Sequence, residues 1–212
     1  MTIDKDIKSI VFDLGGVLLN LDYSRTTTAF QKLVPNLGSF DAIYSRTSQT
    51  QLFENFEIGN ISASEFRQGI RRIANKEITD DAIDKAWNAM LLDFPIKRLQ
   101  MLEKLKLNYN LFLLSNTNEI HLAAYTKILA STFGFRNLSH IFEKEYYSHQ
   151  LKMRKPTQEI FQFVLESNKL KAIETLFIDD SAEHVKTAQQ LGLKTCWLEK
   201  ENEITKILET NF

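Results

Sequence analysis

Four short apolar runs constrain the fold of this chain more than any other feature of its sequence. Together they are rich in Val, Ile, Leu and Phe, as is typical of strands that are covered on both faces of a parallel sheet. The runs are Ile7 to Phe12, Leu111 to Leu114, Thr175 to Ile178, and Lys194 to Leu198. Segments with helical spacing lie between them. The sequence therefore predicts an α/β fold, with a Rossmann-like doubly wound parallel sheet as its core.

The helices between these strands have recognisable starts and ends. The segment from Pro95 to Lys106 opens on a proline and carries apolar residues at helical spacing. The segment from Ser181 to Leu191 is followed by Gly192, a residue suited to the left-handed turn that ends many helices. We expect Pro156 to lie in the first turn of a further helix.

The stretch from 21 to 93 interrupts this alternation, because it has helical periodicity and no convincing strand. Ser62 and Glu65 form a capping-box pattern, and Thr79 is suited to cap another helix. The block is too long for one crossover between neighbouring strands. We therefore predict an all-helical cap domain at 21–93, inserted into a core domain made of 1–20 and 94–212. The alternative, in which these helices pack directly on the sheet, stays open.

Composition and charge argue against several classes of partner. The 212 residues carry a formal net charge of -1, which gives no reason to expect a nucleic acid or an anionic membrane. No segment has the roughly 18 uncharged apolar residues of a membrane span, and the N-terminus does not resemble a signal peptide. Cys196 is the only cysteine, which fits a reducing compartment. We expect a cytoplasmic protein without a nucleic-acid or membrane partner, and a monomer and a homodimer both stay open.

The first polar cluster, Asp13-Leu14-Gly15-Gly16, directly follows the first predicted strand. A carboxylate at the end of a buried strand is unfavourable unless it is paired, hydrogen-bonded or bound to a metal. In one interpretation Asp13 is both a nucleophile and a magnesium ligand, and the flexible glycines bring backbone groups towards metal and phosphate. In the other, Asp13 only caps a glycine turn.

The second cluster, Ser115-Asn116-Thr117-Asn118, follows the second predicted strand and precedes a helix that begins near Glu119. A hydroxyl and backbone N–H groups at the start of a helix suit an anion. An ordinary helix cap has the same composition, so this cluster alone does not distinguish the two.

The third cluster is Asp179-Asp180, at the end of the third predicted strand. Adjacent carboxylates repel each other, and a divalent cation is the simplest reason to keep both ionised. The alternative is that one of them caps the helix that opens at Ser181. Lys155, just before Pro156, is placed to direct its ammonium towards a phosphate and towards Asp13, although basic runs are usually solvated surface.

The order of these clusters resembles the motifs of the haloacid dehalogenase superfamily over nearly the whole chain. The resembling segments are Phe12 to Val17, Leu114 to Asn116, Lys155-Pro156 with Glu159 to Phe161, and Phe177 to Ser181. The insert, which includes Gly59 to Ser62, resembles the small helical cap of this superfamily. Within it, the chain is most similar to a bacterial subgroup of sugar-phosphate phosphatases that includes glucose-1-phosphate phosphatases.

The resemblance implies a Mg²⁺-dependent phosphatase that hydrolyses a small phosphate monoester, such as a sugar phosphate. Asp13 would attack phosphorus and form an aspartyl-phosphate. Magnesium would be held by Asp13, by the backbone carbonyl of Gly15 and by Asp180, with Asp179 as the second choice for the last position.

The resemblance also assigns the phosphate contacts. Ser115 and the amide of Asn116 would bind phosphate oxygens, and Lys155 would neutralise charge between the phosphate and the nucleophile. Three alternatives stay open: a metal-independent haloacid dehalogenase, a phosphomutase, and a degenerate member that binds a phospho-ligand or a partner without turnover.

One position departs from the superfamily's pattern. Its phosphatases usually carry a second aspartate two residues after the nucleophile, which protonates the leaving alcohol, and this chain has Gly15 there. Loss of a general acid typically lowers the rate by roughly 10²- to 10⁴-fold. Asp22 and His184 are the candidates to replace it, although each is also suited to a structural role.

Overall fold

The computed structural model describes residues 3–34, 51–200 and 202–208, and within them one parallel sheet forms the centre of the molecule. Its five strands are β1 (Ser9–Phe12), β2 (Asn110–Ser115), β3 (Lys144–Tyr147), β4 (Thr175–Asp179) and β5 (Lys194–Trp197). They lie in the order β3-β2-β1-β4-β5, so β1 is central and the chain builds the sheet outwards on both sides of it. The predicted Rossmann-like α/β core is confirmed.

Helices α1 (Tyr23–Leu33), α2 (Gln51–Glu57), α3 (Ala63–Ala74) and α4 (Asp80–Asn88) follow β1. The capping box of α3 is present, since the Ser62 amide donates to Glu65 Oε2 at 2.8 Å and the Glu65 amide donates to Ser62 Oγ at 3.3 Å. Thr79 caps α4 by accepting a hydrogen bond from the Ala82 amide. Both helix starts that the sequence predicted are confirmed.

These four helices bury an apolar cluster of their own. It includes Phe30, Phe53, Phe66 and Trp87, and among its buried members Ile120 comes from outside the insert. The separate cluster supports a distinct cap, while the domain boundaries stay a prediction, and residues 35–50 of the predicted cap lie outside the described residues.

The chain leaves and re-enters the core at adjacent points. The Asn20 amide donates to the Asp93 carbonyl at 2.9 Å, and the Leu92 amide donates to the Asn20 carbonyl at 3.0 Å. The Asn20 side chain also donates to Asp93 Oδ1 at 3.0 Å. These contacts lie next to the predicted boundaries at 20 and 94 and hold the two connecting segments side by side.

Both faces of the sheet are covered, by α5 (Ile96–Leu105), α6 (Glu119–Phe133), α7 (Ser148–Leu151), α8 (Gln158–Ser167), α9 (Ala182–Gln190) and α10 (Ile204–Leu208). Successive side chains of a strand point to opposite faces. In β1, Ile10 and Phe12 accordingly pack into the cluster that holds α5 and α6, whereas Val11 packs into the cluster that holds α8 and part of α9. None of the described helices is long and apolar enough to span a bilayer.

Two details of the sequence prediction are wrong. Strand β3 was missed, because its first residues, Lys144 and Glu145, are polar and only Tyr146 and Tyr147 are buried, as suits the edge of the sheet. Pro156 does not lie in the first turn of α8, which begins at Gln158 after Thr157. The strand-forming signal of β3 is too short and too polar to recognise without its partner β2.

Candidate active site

The polar clusters that the sequence singles out meet at the carboxyl edge of the sheet. Ser115 ends β2, Asp179 ends β4, and Asp13 directly follows β1. The Asp13 amide donates to the Ile178 carbonyl at 2.9 Å, so the backbone of β4 holds Asp13 in place. Ligands of open parallel sheets bind at this edge.

Lys155 joins two of these carboxylates. Its Nζ lies 2.7 Å from Asp13 Oδ1 and 2.6 Å from Asp179 Oδ2, and its side chain has no solvent exposure. Burial by itself would lower the pKa of Lys155, but the facing charges of Asp13 and Asp179 outweigh it and raise that pKa above its usual value. The lysine therefore stays charged in the interior.

The two carboxylates differ in their surroundings. Burial raises the pKa of Asp13, and the charges of Asp179 and Asp180 raise it further against the opposing effect of Lys155. Burial also acts to raise the pKa of Asp179, but Lys155 and His184 outweigh it and hold that pKa below its usual value. The Asp13 carboxylate thus lies in an excess of negative charge that a further cation would relieve.

The residues at this point fit a magnesium ion. Asp13, Asp179 and Asp180 each offer a carboxylate oxygen, and these atoms all lie within 4.8 Å of one another. Mg²⁺ prefers such hard oxygen ligands. The Asp180 carboxylate lies against Gly16, where a Cβ atom would be only 2.7 Å from Asp180 Cγ. Glycine at this position therefore leaves the space that the Asp180 side chain occupies.

Gly15, whose carbonyl the resemblance assigns to the metal, lines the same cavity. A Cβ atom at position 15 would lie 2.6 Å from Leu21 Cδ1. The Leu21 side chain thus fills the space beside the Gly15 backbone, and position 15 is where the superfamily's phosphatases usually carry an aspartate.

The second cluster serves two purposes. Ser115 and Asn116 line the cavity, and the Asn116 side chain also holds the backbone of Lys155. Asn116 Nδ2 donates to the Lys155 carbonyl at 2.8 Å, and the Lys155 amide donates to Asn116 Oδ1 at 2.9 Å. Asn118 is the residue that caps α6. The helix-cap interpretation therefore applies to Asn118 and leaves Ser115 facing the cavity.

The two candidates for the missing acid have different positions. Asp22 is the N-cap of α1, accepts a hydrogen bond from the Ser24 amide at 3.1 Å, and is not among the described residues that line the cavity. Its side-chain hydrogen bond with Ser24 lowers the pKa of Asp22. His184 does line the cavity, and its Nδ1 lies 3.0 Å from each carboxylate oxygen of Asp179. The structural role of Asp22 as a helix cap is confirmed.

The cavity, of about 180 Å³, lies between the sheet edge and the helices of the insert. Sequence reasoning missed several residues of its wall, namely Tyr23, Glu57, His121 and Arg154. Arg154 could have been predicted, because it directly precedes Lys155 in a basic run. The others carry no local signal, since only the packing of the insert on the core brings them to the cavity.

His121 lies between the core and the insert. Asn118 Oδ1 accepts from the His121 amide at 3.0 Å, so Asn118 Nδ2 is the group that faces His121 Nδ1, at 3.2 Å. The imidazole proton therefore lies on Nε2, which donates to the Trp87 carbonyl at 3.2 Å. The ring also stacks on Trp87, and burial lowers the pKa of His121 to about 4. His121 is thus a neutral side chain that joins α6 of the core to α4 of the insert.

Comparison with known proteins agrees with this geometry. Residues 7–192 match the model of the haloacid dehalogenase-like hydrolase family. A D-ribitol-5-phosphate phosphatase of Bacteroides thetaiotaomicron is 33% identical over 189 residues, which are 89% of this chain and 90% of that protein.

Solved structures give the same result. A HAD family enzyme of Bacteroides thetaiotaomicron, an aspartate-to-alanine mutant in complex with magnesium and inorganic phosphate, has a TM-score of 0.89 at 37% identity, over 95% of this chain and 98% of that one. A HAD-like family hydrolase of Porphyromonas gingivalis has a TM-score of 0.85 at 31% identity, over 95% and 97% of the two chains. With its sheet, its carboxylate cluster and its buried lysine, this chain belongs to the haloacid dehalogenase-like hydrolase family.

Proposed function

We propose that this protein is a magnesium-dependent phosphatase that hydrolyses the phosphate monoester of a sugar or a sugar alcohol. The observation that carries the proposal is the buried Lys155 ammonium, 2.7 Å from Asp13 Oδ1, beside the carboxylates of Asp179 and Asp180. The similarity to a D-ribitol-5-phosphate phosphatase supports the substrate class. The proposed metal ligands are Asp13, the Gly15 carbonyl and Asp180, with Asp179 as the second choice.

In the proposed reaction Asp13 is the nucleophile. A new bond forms between an Asp13 carboxylate oxygen and phosphorus while the bond from phosphorus to the leaving oxygen breaks. Water then hydrolyses the aspartyl-phosphate, which releases inorganic phosphate and restores the carboxylate. Lys155 keeps Asp13 oriented and neutralises part of the charge, and Ser115 with the Asn116 amide binds phosphate oxygens. Magnesium, when bound, neutralises further charge on the phosphate.

The leaving alcohol also needs a proton, which Gly15 cannot supply. Of the two residues that the sequence offers for this step, His184 lines the cavity. His184 therefore stays the candidate proton donor. A leaving group of low pKa would depend least on such a donor.

The remaining parts of the proposal concern surroundings and assembly. We propose a cytoplasmic protein, a monomer or a homodimer, with a cap at 21–93 and without a nucleic-acid or membrane partner. The formal net charge of -1 supports the absence of a polyanionic partner.

The test is a panel of phosphate monoesters, including D-ribitol 5-phosphate, glucose 1-phosphate and p-nitrophenyl phosphate, assayed with magnesium and with EDTA. Asp13→Asn should abolish phosphate release, and Asp81→Asn, at an exposed position of α4, should not. Phosphate release that persists in EDTA or in Asp13→Asn would contradict the proposal. Release of halide from a 2-haloacid, without magnesium, would favour the dehalogenase instead.

A further inference from the structure

The proposed reaction leaves part of the cavity wall unused. Among the described lining residues, the charged side chains of Glu57, Arg154 and Glu183 have no place in the phosphate chemistry, and of these Glu57 and Arg154 form an ion pair. Glu57 is the last residue of α2, and Arg154 directly precedes Lys155. Phe53 and Trp87 line the same cavity and contribute aromatic surface to it.

Backbone contacts place Glu57 over the sheet edge. The Ser148 hydroxyl lies 2.7 Å from the Glu57 carbonyl, and it also accepts a hydrogen bond from the Thr117 amide at 2.9 Å. Two residues further on, Gly59 approaches His149 so closely that a Cβ atom would lie 2.9 Å from the His149 carbonyl carbon. The end of α2 is therefore held against the loops that carry the proposed phosphate site, whatever side chain position 57 carries.

Arg154 and Glu57 form an ion pair at the cavity. Arg154 Nη2 lies 3.3 Å from Glu57 Oε2, and Arg154 Nη1 lies 3.8 Å from Glu54 Oε1. Both distances exceed the 2.7–2.9 Å of a strong charge-assisted hydrogen bond. The side chains of Arg154 and Glu57 are 24% and 13% exposed, against 51% for Glu54, which does not line the cavity. Glu57 is thus the partner of Arg154 that a bound molecule would meet.

Each Lys or Arg side chain of this wall already faces a carboxylate. Lys155 and Arg154 are the Lys and Arg side chains among the described lining residues, and Lys155 already contacts Asp13 and Asp179. Arg154 is offset by Glu57. A second anionic group on the substrate would therefore meet the Glu57 carboxylate as well as the Arg154 guanidinium. Repulsion by the carboxylate would then cancel attraction by the guanidinium.

We propose that Glu57 and Arg154 are specificity-determining residues that bind hydroxyl groups of an uncharged, polyhydroxylated leaving group and disfavour leaving groups with a carboxylate or a second phosphate. A carboxylate accepts from a hydroxyl and a guanidinium donates to one, so the pair can bind neighbouring hydroxyls together. This inference rests on the proposed phosphatase function and adds the chemistry of the leaving group.

The test compares D-ribitol 5-phosphate with 3-phosphoglycerate, a phosphate monoester that carries a carboxylate. The wild type should have the higher kcat/KM for the polyol. Glu57→Gln should lower the ratio of the two kcat/KM values about tenfold, because it frees Arg154 for the carboxylate and weakens one hydrogen bond to the polyol. Arg154→Gln should shift the ratio the opposite way, and Glu54→Gln should leave it within about twofold.

Binding separates this inference from the proposed function. Calorimetry on Asp13→Asn with magnesium measures the Kd of both compounds without turnover, and the same measurement on Asp13→Asn/Glu57→Gln should reduce the preference for the polyol. If the wild type does not turn over either compound but its binding preference depends on Glu57, the proposed phosphatase function is wrong and the proposed role of Glu57 in substrate recognition is supported. An unchanged ratio in Glu57→Gln and in Arg154→Gln, or a wild-type preference for 3-phosphoglycerate, would overturn the role of this pair.

Discussion

Lys155 and Asp13 are 142 positions apart in the chain and meet at 2.7 Å between Nζ and Oδ1. The lysine side chain is wholly buried, and that of Asp13 is 11% exposed. The contact joins the end of β1 to the segment before α8. The carboxylate of Asp179, at the end of β4, contacts the same ammonium. The charges of the proposed reaction centre therefore also hold separate parts of the core together.

Replacement of Lys155 should affect both activity and stability. In Lys155→Met, Asp13 and Asp179 would face each other without the buried cation. We expect kcat/KM to fall by about 10²- to 10³-fold and the free energy of unfolding to fall by about 3–5 kcal/mol. Phosphate release and urea unfolding measure the two effects, with exposed Lys186→Met as the control. A variant with more than half of the wild-type kcat/KM would refute this role of Lys155.

Gly16 should be essential for the position of Asp180. Its φ is +78°, and a Cβ atom there would lie 2.7 Å from Asp180 Cγ. Gly16→Ala should therefore raise the magnesium concentration for half-maximal activity at least severalfold and lower kcat. Gly134→Ala is the matched control, because its φ is +81° and nothing lies within 4 Å of its Cβ position. If both variants show the same magnesium dependence as the wild type, the collision with Asp180 is unimportant.

Magnesium should stabilise the folded protein through Asp180. A ligand that binds only the folded state adds about 2.7 kcal/mol at a concentration of 100 Kd. We expect magnesium to raise the Tm of the wild type, EDTA to reverse the rise, and Asp180→Asn to reduce it. Thermal unfolding with and without magnesium measures this shift, with Asp81→Asn as the control. An equal magnesium-induced shift in Asp180→Asn would argue for a site elsewhere.

The burial of His121 should make stability depend on pH. Its pKa in the folded protein is about 4, below the ordinary 6.5, so the unfolded chain takes up the proton first as the pH falls. This residue therefore lowers the free energy of unfolding as the pH falls from about 6.5 to 4, by roughly 3 kcal/mol in total. His121→Gln should remove this part of the fall in urea unfolding, and exposed His140→Gln should retain it. Parallel curves for wild type and His121→Gln would show that His121 is not buried in its neutral form.

Local patterns were sufficient to predict the central strands and the carboxylates that follow them. Asp13 and Asp179 both come at the end of a buried apolar run, and parallel strands bring such ends to one edge of the sheet. Edge strand β3 was not predictable in the same way, because half of its short sequence is polar. Asp22 and His184 could not be distinguished from the sequence, since only the path of the backbone decides which of them reaches the cavity.

The sequence by itself thus determined the alternation of helices with the four strands other than β3, the family, and the identity of the carboxylates at the sheet edge, because these depend on residues that are close in the chain. The tertiary structure alone decided that Lys155 lies between Asp13 and Asp179, that Leu21 occupies the space beside Gly15, and that Glu57 meets Arg154. Except for Leu21 beside Gly15, these contacts join residues from distant segments. They arise from the packing of the insert on the core and of the strands on one another, which no local spacing encodes.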